Sequence, residues 1–205
     1  VHTAFTHDSS EPVSFVIWTT TPWTLPANQA VALHPDLEYV LIRINDKHPG
    51  LYVFAADLLD SVLARYEVED YQQLASVSGQ ALEGIGLEHP FYDRVVPVIL
   101  GEHVTTEAGT GAVHTAPGHG QEDYIAGRKY DLKVDNPVAG NGVFVEGTPI
   151  FAGEHVLKAN AHVLEVLKDQ NALLFSESIK HSYPHCWRHK SPIIFRATPQ
   201  WFISM

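Results

Sequence analysis

The sequence predicts an α+β fold: a β-barrel-like body with several peripheral helices. Three observations lead there. Short β-branched runs recur along the chain, glycine, proline and asparagine punctuate them, and only two stretches carry helical spacing. Residues 13–21 alternate and are rich in Val, Ile and Thr, so they read as the first strand. Residues 39–44 follow the same pattern, and 51–55 form a short apolar run. Residues 56–66 place Leu59, Val62, Leu63 and Tyr66 on one face, as a helix requires. Residues 95–100, 112–115 and 142–145 read as further strands, with a short helix expected over 121–130. A longer helix over 154–170 stacks Val156, Leu157, Asn160, Val163, Leu164 and Leu167. Turns fall at Pro49-Gly50, Gly84, Gly86, Gly140-Asn141-Gly142 and Gly147.

Composition narrows the classes. In 205 residues, 45% are hydrophobic and 18% charged, which suits a globular chain with a sizeable core. Thirteen Lys and Arg against 24 Asp and Glu give a net charge of −11, which excludes a generally basic nucleic-acid coat. A local basic patch, or a nucleic acid delivered by another domain, stays open. The single cysteine, Cys186, excludes a disulfide framework and fits a reducing, cytoplasmic setting. No apolar run is long enough for a membrane span, and no signal-peptide pattern opens the chain. Residues 1–12 are polar and weakly patterned, as in a linker or strand remnant, whereas residues 200–205 are rich in large apolar groups. The chain therefore reads as an insertion from a larger protein, with a body over 13–180 and a return segment over 181–205.

Two motifs carry candidate chemistry. The first is Trp18-Thr19-Thr20-Thr21-Pro22-Trp23-Thr24-Leu25-Pro26-Ala27-Asn28. Pro22 and Pro26 bias Thr21 and Leu25 away from helical angles, so the segment is expected to leave the sheet as a stiff, extended turn bearing hydroxyls and Asn28. Such groups can hold a sugar, a phosphate or a water; threonines ending a strand beside prolines at a sheet edge fit the same pattern. The second runs from Gly109-Thr110-Gly111-Ala112-Val113-His114 through Gly118-His119-Gly120 to Asp123-Tyr124. His114 ends a strand, and Asp123 falls in the first turn of a helix, where the dipole favours a carboxylate. A core histidine beside ordinary first-turn acids is the alternative. Neither a Walker loop nor a dinucleotide fingerprint is present.

Thirteen histidines invite a metal, and the densest group is His181, His185, Cys186 and His189. Zinc sites need a second ligand pair, and none follows at ligand spacing, so no metal and no cofactor are expected. No Gly-x-Ser-x-Gly elbow occurs, and Cys186 lies in no nucleophile motif. Chemistry here would use water, positioned groups and the substrate itself.

Together, in this order and at this separation, the two motifs closely resemble the editing insertion of bacterial isoleucyl-tRNA synthetases. The resemblance extends over His181-Ser182-Tyr183-Pro184-His185-Cys186-Trp187-Arg188 and Arg196-Ala197-Thr198-Pro199-Gln200-Trp201-Phe202. The valine and leucine enzymes share Gly-Thr-Gly-Ala-Val but carry Thr-Thr-Arg-Pro where this chain has Thr20-Thr21-Pro22 preceded by Thr19. The His-Ile-Gly-His and Lys-Met-Ser-Lys-Ser signatures of the ATP site are absent, so no amino-acid activation is expected of this chain. The resemblance implies hydrolysis of valine esterified to the terminal adenosine of tRNA, with isoleucine excluded by size. It assigns Asp123 to the substrate ammonium and His114 to the wall of the side-chain pocket. Thr19, Thr20 and Thr21 would hold the adenosine, ester or water, with Asn28 supporting them and Thr24 contacting substrate. Trp23 and Tyr183 would wall the pocket. Its implied partners are the valine-bearing tRNA acceptor end, valine or valyl-adenosine analogues, and the rest of the synthetase, with no membrane. A non-catalytic docking insertion for the tRNA end and a metal-dependent hydrolase are the competing classes.

Overall fold

The computed structural model describes residues 1, 3–6, 10–180 and 182–204. Among these described residues, eight strands make two four-stranded sheets. The first contains β1 (Val13–Phe15), β3 (Glu38–Ile44), β4 (Gly50–Ala55) and β5 (Tyr71–Ser78) in the order β1-β4-β3-β5. The second contains β2 (Ala30–Leu33), β6 (Gly86–Glu88), β7 (Val95–Leu100) and β8 (Ala112–Thr115) in the order β6-β7-β2-β8. Pairings are antiparallel except β1 with β4 and β2 with β7.

The α+β class matches, but no closed barrel forms among the described residues. Closure needs every strand bonded on both sides. Here β5 pairs only with β3, and β1 and β6 are three residues each, so the edges never meet. The two sheets share a core instead. Val31 and Leu33 of β2 and Val98 of β7 join Leu41, Ile42, Val53 and Phe54 of the first sheet. The other face of β2, Ala30 and Ala32, packs with Ile99 and with Ala126 of α2 (Gln121–Lys129). Small residues there let that helix approach closely. α1 (Leu59–Tyr66) is preceded by a 3-10 turn, Ala56–Leu58, and covers the first sheet with Val62, Leu63 and Tyr66. α3 (Val156–Asp169) builds a second core from Val156, Ala159, Val163 and Leu167 with Phe144, Phe151, Trp23 and Leu25.

Two expected strands differ in the structure. The first ends at Phe15 rather than Thr21, and at its expected far end Thr19 Oγ1 accepts from the Thr21 N–H at 3.0 Å. A side chain has replaced the ladder partner. Residues 142–145 make only isolated bridges, Val138 with Phe144 and Val143 with His155.

The loop between β7 and β8 is tied to the first sheet. Tyr39, fully buried, donates to Gly111 O at 2.7 Å and accepts from the His34 N–H at 3.0 Å. The Ala55 N–H donates to Thr110 O at 3.0 Å. Gly111 has φ +79, and a Cβ there would lie 2.2 Å from that of Ala55, so only glycine fits. Tyr39→Phe strips the part-buried His34 N–H and the buried Gly111 O of their partner at once. It should lower unfolding free energy by about 1–3 kcal/mol in urea. An unchanged midpoint would show that the hydroxyl does not hold this loop.

Candidate functional site

Pro22–Ala27 forms a 3-10 helix rather than an extended turn. Pro22 does hold Thr21 outside the helical region, at φ −130 and ψ 66. Leu25 is helical despite Pro26, because this helix needs only the bonds Thr24 N–H to Thr21 O and Asn28 N–H to Leu25 O. The Trp23 N–H, which lacks a helical partner, donates to Asn160 Oδ1 of α3 at 3.0 Å. That explains a polar residue on the apolar face of α3.

His114, on β8, is buried and bonded at both ring nitrogens. Asn28 Nδ2 lies 2.9 Å from Ala30 O, which can only accept, so the Asn28 amide nitrogen faces this way. It therefore also donates to His114 Nδ1, at 3.0 Å. His114 Nε2 must then carry the proton and donate to Thr24 Oγ1 at 2.8 Å, and Thr24 donates onward to Thr21 O at 2.8 Å. Burial pushes the His114 pKa down to about 3, with His89 and His119 adding to the shift. The ring is neutral, fixed in one tautomer, and offers no nitrogen to a ligand.

His89 is locked in the same way. Its Nε2 donates to Leu25 O at 3.1 Å, its Nδ1 accepts from the Phe91 and Tyr92 N–H groups, and burial lowers its pKa to about 4. His119 is lowered too, chiefly by burial. Folded values below the free value of 6.5 mean that the unfolded chain binds more protons in acid. Stability from these rings is therefore complete above pH 6.5 and lost as pH falls toward the folded values. The urea midpoint should fall between pH 7 and pH 5. A flat midpoint over that range would contradict the buried neutral rings.

Asp123 sits in the first turn of α2 and its Oδ2 accepts from the Ala116 N–H at 2.8 Å. Burial raises its pKa, opposed by the Ala116 bond and by His103. The carboxylate lines a cleft of about 390 Å³ together with Thr19, Thr20, Thr21, Thr24 and His114. Residues a hundred positions apart thus share one cavity. Trp18, His103, Thr105, Glu107, residues 108–113 and His119 complete the wall. Its formal charges are Asp123 and Glu107, with no Lys or Arg among the lining residues. Such a cleft favours a cation beside neutral hydrogen-bonding groups.

Three expected site residues lie off the cleft wall. Trp23 is 3% exposed and packs in the α3 core, touching His119 edge-on at 5.1 Å, so it backs the wall. Asn28 stands behind His114. Tyr183 lies beside His185 in the C-terminal segment. Sequence reading missed His103, Thr105 and Glu107, which come from an irregular loop with no periodic signal. It also missed His119 as a wall residue, although the glycines around it marked the turn. Of the histidine-rich group weighed as metal ligands and set aside, His181 lies outside the described residues, and Cys186 Sγ is 3.4 Å from His189 Nδ1. No group of three or more potential ligands is arranged for a metal among the described residues. No helix among them is long and apolar enough to cross a membrane.

The fold is shared with a solved structure titled GlLeuRS-CP1, with TM-score 0.67 at 16% identity over 84% of this chain and 87% of that one. It is shared too with the editing domain of P. knowlesi cytosolic leucyl-tRNA synthetase, with TM-score 0.61 at 12% identity over 78% and 82%. The chain belongs to the family described as leucyl-tRNA synthetase, editing domain, whose model matches residues 1–162. It is also 64% identical to isoleucine–tRNA ligase of Alkalilimnicola ehrlichii, over 94% of this chain and 20% of that protein. Against the same enzyme of Methylococcus capsulatus it is 62% identical, over 100% and 22%. The chain thus spans about a fifth of these relatives and corresponds to their editing insertion.

Proposed function

We propose that the chain is the post-transfer editing domain of an isoleucine–tRNA ligase, hydrolysing valine wrongly esterified to tRNA and sparing isoleucine. The observation that carries this reading is the acidic cleft, lined by Asp123 with Thr19, Thr20 and Thr21 and by no Lys or Arg among the described residues. Asp123 binds the substrate α-ammonium through a charge-assisted pair, which offsets the burial of its carboxylate. The threonine hydroxyls hold the terminal adenosine, the ester and a water. Water oxygen attacks the ester carbonyl, the bond to the ribose oxygen breaks, and that oxygen leaves as a hydroxyl. The ester of an ammonium-bearing acid is already activated, so positioning carries much of the rate.

Selectivity needs a wall. One methylene is worth about 0.8 kcal/mol by attraction, too little to separate two aliphatic acids, whereas steric exclusion has no such limit. His114, clamped at both nitrogens, is that wall, with Thr24 beside it. Trp23 and Tyr183 do not form it.

The domains divide as residues 1–12 leading in, 13–180 as the body and 181–205 returning toward the synthetic domain. The partners are the acceptor end of valine-bearing tRNA, its valyl-adenosine analogues and the rest of the ligase, in the cytoplasm. A charge of −11 leaves the chain alone with weak tRNA affinity, since phosphate contacts need Lys and Arg. The test is incubation of preformed valyl-tRNA and isoleucyl-tRNA with the protein. Editing requires loss of the valyl ester only. Binding without ester loss would favour an inert docking insertion, and loss abolished by chelation would favour a metal-dependent hydrolase.

A further inference from the structure

The segment around Phe195 lies beyond the matched family residues, yet it is bonded to the cleft. The Ala197 N–H donates to Gly118 O at 2.7 Å, and Phe195 O lies 3.0 Å from His119 Nδ1. On the other side, Asn136 Nδ2 donates to Ala197 O at 2.7 Å and Arg196 Nε donates to Val138 O at 2.8 Å. The three residues are therefore stretched between the cleft turn and residues 136–138 by four hydrogen bonds. The turn has no slack. A Cβ on Gly118 would fall 2.0 Å from Asp135 O, and the His119 N–H already donates to Ala116 O at 2.8 Å.

We propose that residues 195–197 form a strap that sets the conformation of the Gly118-His119-Gly120 turn, with Asn136 and Arg196 as positioning residues for the editing cleft. Its kinetic consequence rests on the function proposed above; its structural content does not. Phe195 O can only accept, so the strap fixes the proton of His119 on Nδ1. The turn in turn leads into α2 and carries Asp123, three residues after Gly120. Displacing the strap frees the His119 ring to exchange tautomers and lets the Asp123 carboxylate, with the ammonium it holds, drift from its place beside the threonines. Reacting groups tolerate little of this, since a shift of about 1 Å costs roughly a hundredfold. The strap ends four residues before Trp201, Phe202 and Ile203, which are 99%, 91% and 88% exposed. Whatever engages those side chains is thereby connected to the cleft turn.

Asn136→Asp is the sharpest test. It keeps the oxygen that accepts from the Val138 N–H at 3.2 Å and replaces the donor to Ala197 O by an acceptor. Nitrogen-15 NMR of His119 should show the Nδ1–H tautomer in the wild type and a mixed population in Asn136→Asp and Arg196→Ala. Deacylation of valyl-tRNA should fall about tenfold or more in kcat, and Arg196→Lys, which restores one donor, should retain more activity than Arg196→Ala. A wild-type ring protonated at Nε2, or variants whose His119 spectrum is unchanged, would overturn the strap whatever the enzyme does. A shifted spectrum with wild-type deacylation would overturn its positioning role. If the wild type deacylates nothing, the proposed function fails, while the tautomer still decides whether the strap sets the turn.

Discussion

Asp123→Ala should strongly reduce deacylation of valyl-tRNA. Removing one member of a buried charge pair costs about 2–5 kcal/mol, so kcat/KM should drop about 30-fold to several thousandfold. The same change leaves the Ala116 N–H without its acceptor, a loss of about 1 kcal/mol of stability that does not unfold a domain with this core. Asp123→Glu should also be poor. Its extra methylene moves the carboxylate from both the Ala116 N–H and the ammonium. Deacylation is measured alongside a thermal melt. A folded alanine variant that still deacylates at the wild-type rate would remove Asp123 from the site.

His114→Ala should let the protein begin to hydrolyse correctly charged isoleucyl-tRNA. The imidazole is far larger than the one methylene that separates the two amino acids, so its loss opens the pocket beyond the size limit. The hydrogen-bond network adds a cost. Asn28 Nδ2 loses an acceptor and Thr24 Oγ1 a donor, so the variant should be about 1–3 kcal/mol less stable and its valyl activity should fall as well. The diagnostic quantity is therefore the ratio of isoleucyl to valyl deacylation, which must rise. A ratio equal to that of the wild type would move the wall to Thr24 or to the loop around Thr105.

What the sequence made legible follows the strength of the local signal. The helices were readable because Val62, Leu63 and Tyr66, or Val156, Val163 and Leu167, repeat with helical period and end up buried. β2 was invisible: Ala30–Leu33 is only four residues, half of them alanine, and its identity as a central strand comes from β7 and β8 on either side. β5 is an exposed edge with Gln72 and Gln73, so it lacks an alternating apolar face. Barrel closure could not be read, because it depends on whether distant edges meet.

The site divides in the same way. Thr19, Thr20, Thr21, Thr24, His114 and Asp123 share one cleft, and their motifs stood out through prolines and glycines that force unusual backbone. Trp23 and Tyr183 were expected on the wall, yet side-chain direction in a 3-10 helix is set by what packs against it. Here α3 claims the Trp23 indole. The loop with His103 and Glu107 has no motif at all, and only the fold brings it to the cleft.

The most direct test is a structure of the protein with a non-hydrolysable valyl-adenosine analogue. The ammonium nitrogen should lie within hydrogen-bond distance of Asp123, the valine side chain against His114, and the adenosine along Thr19, Thr20 and Thr21. The contradicting result is the analogue bound elsewhere, such as the separate cleft of about 700 Å³ lined by Phe91, Tyr92 and Arg94, with the Asp123 carboxylate untouched.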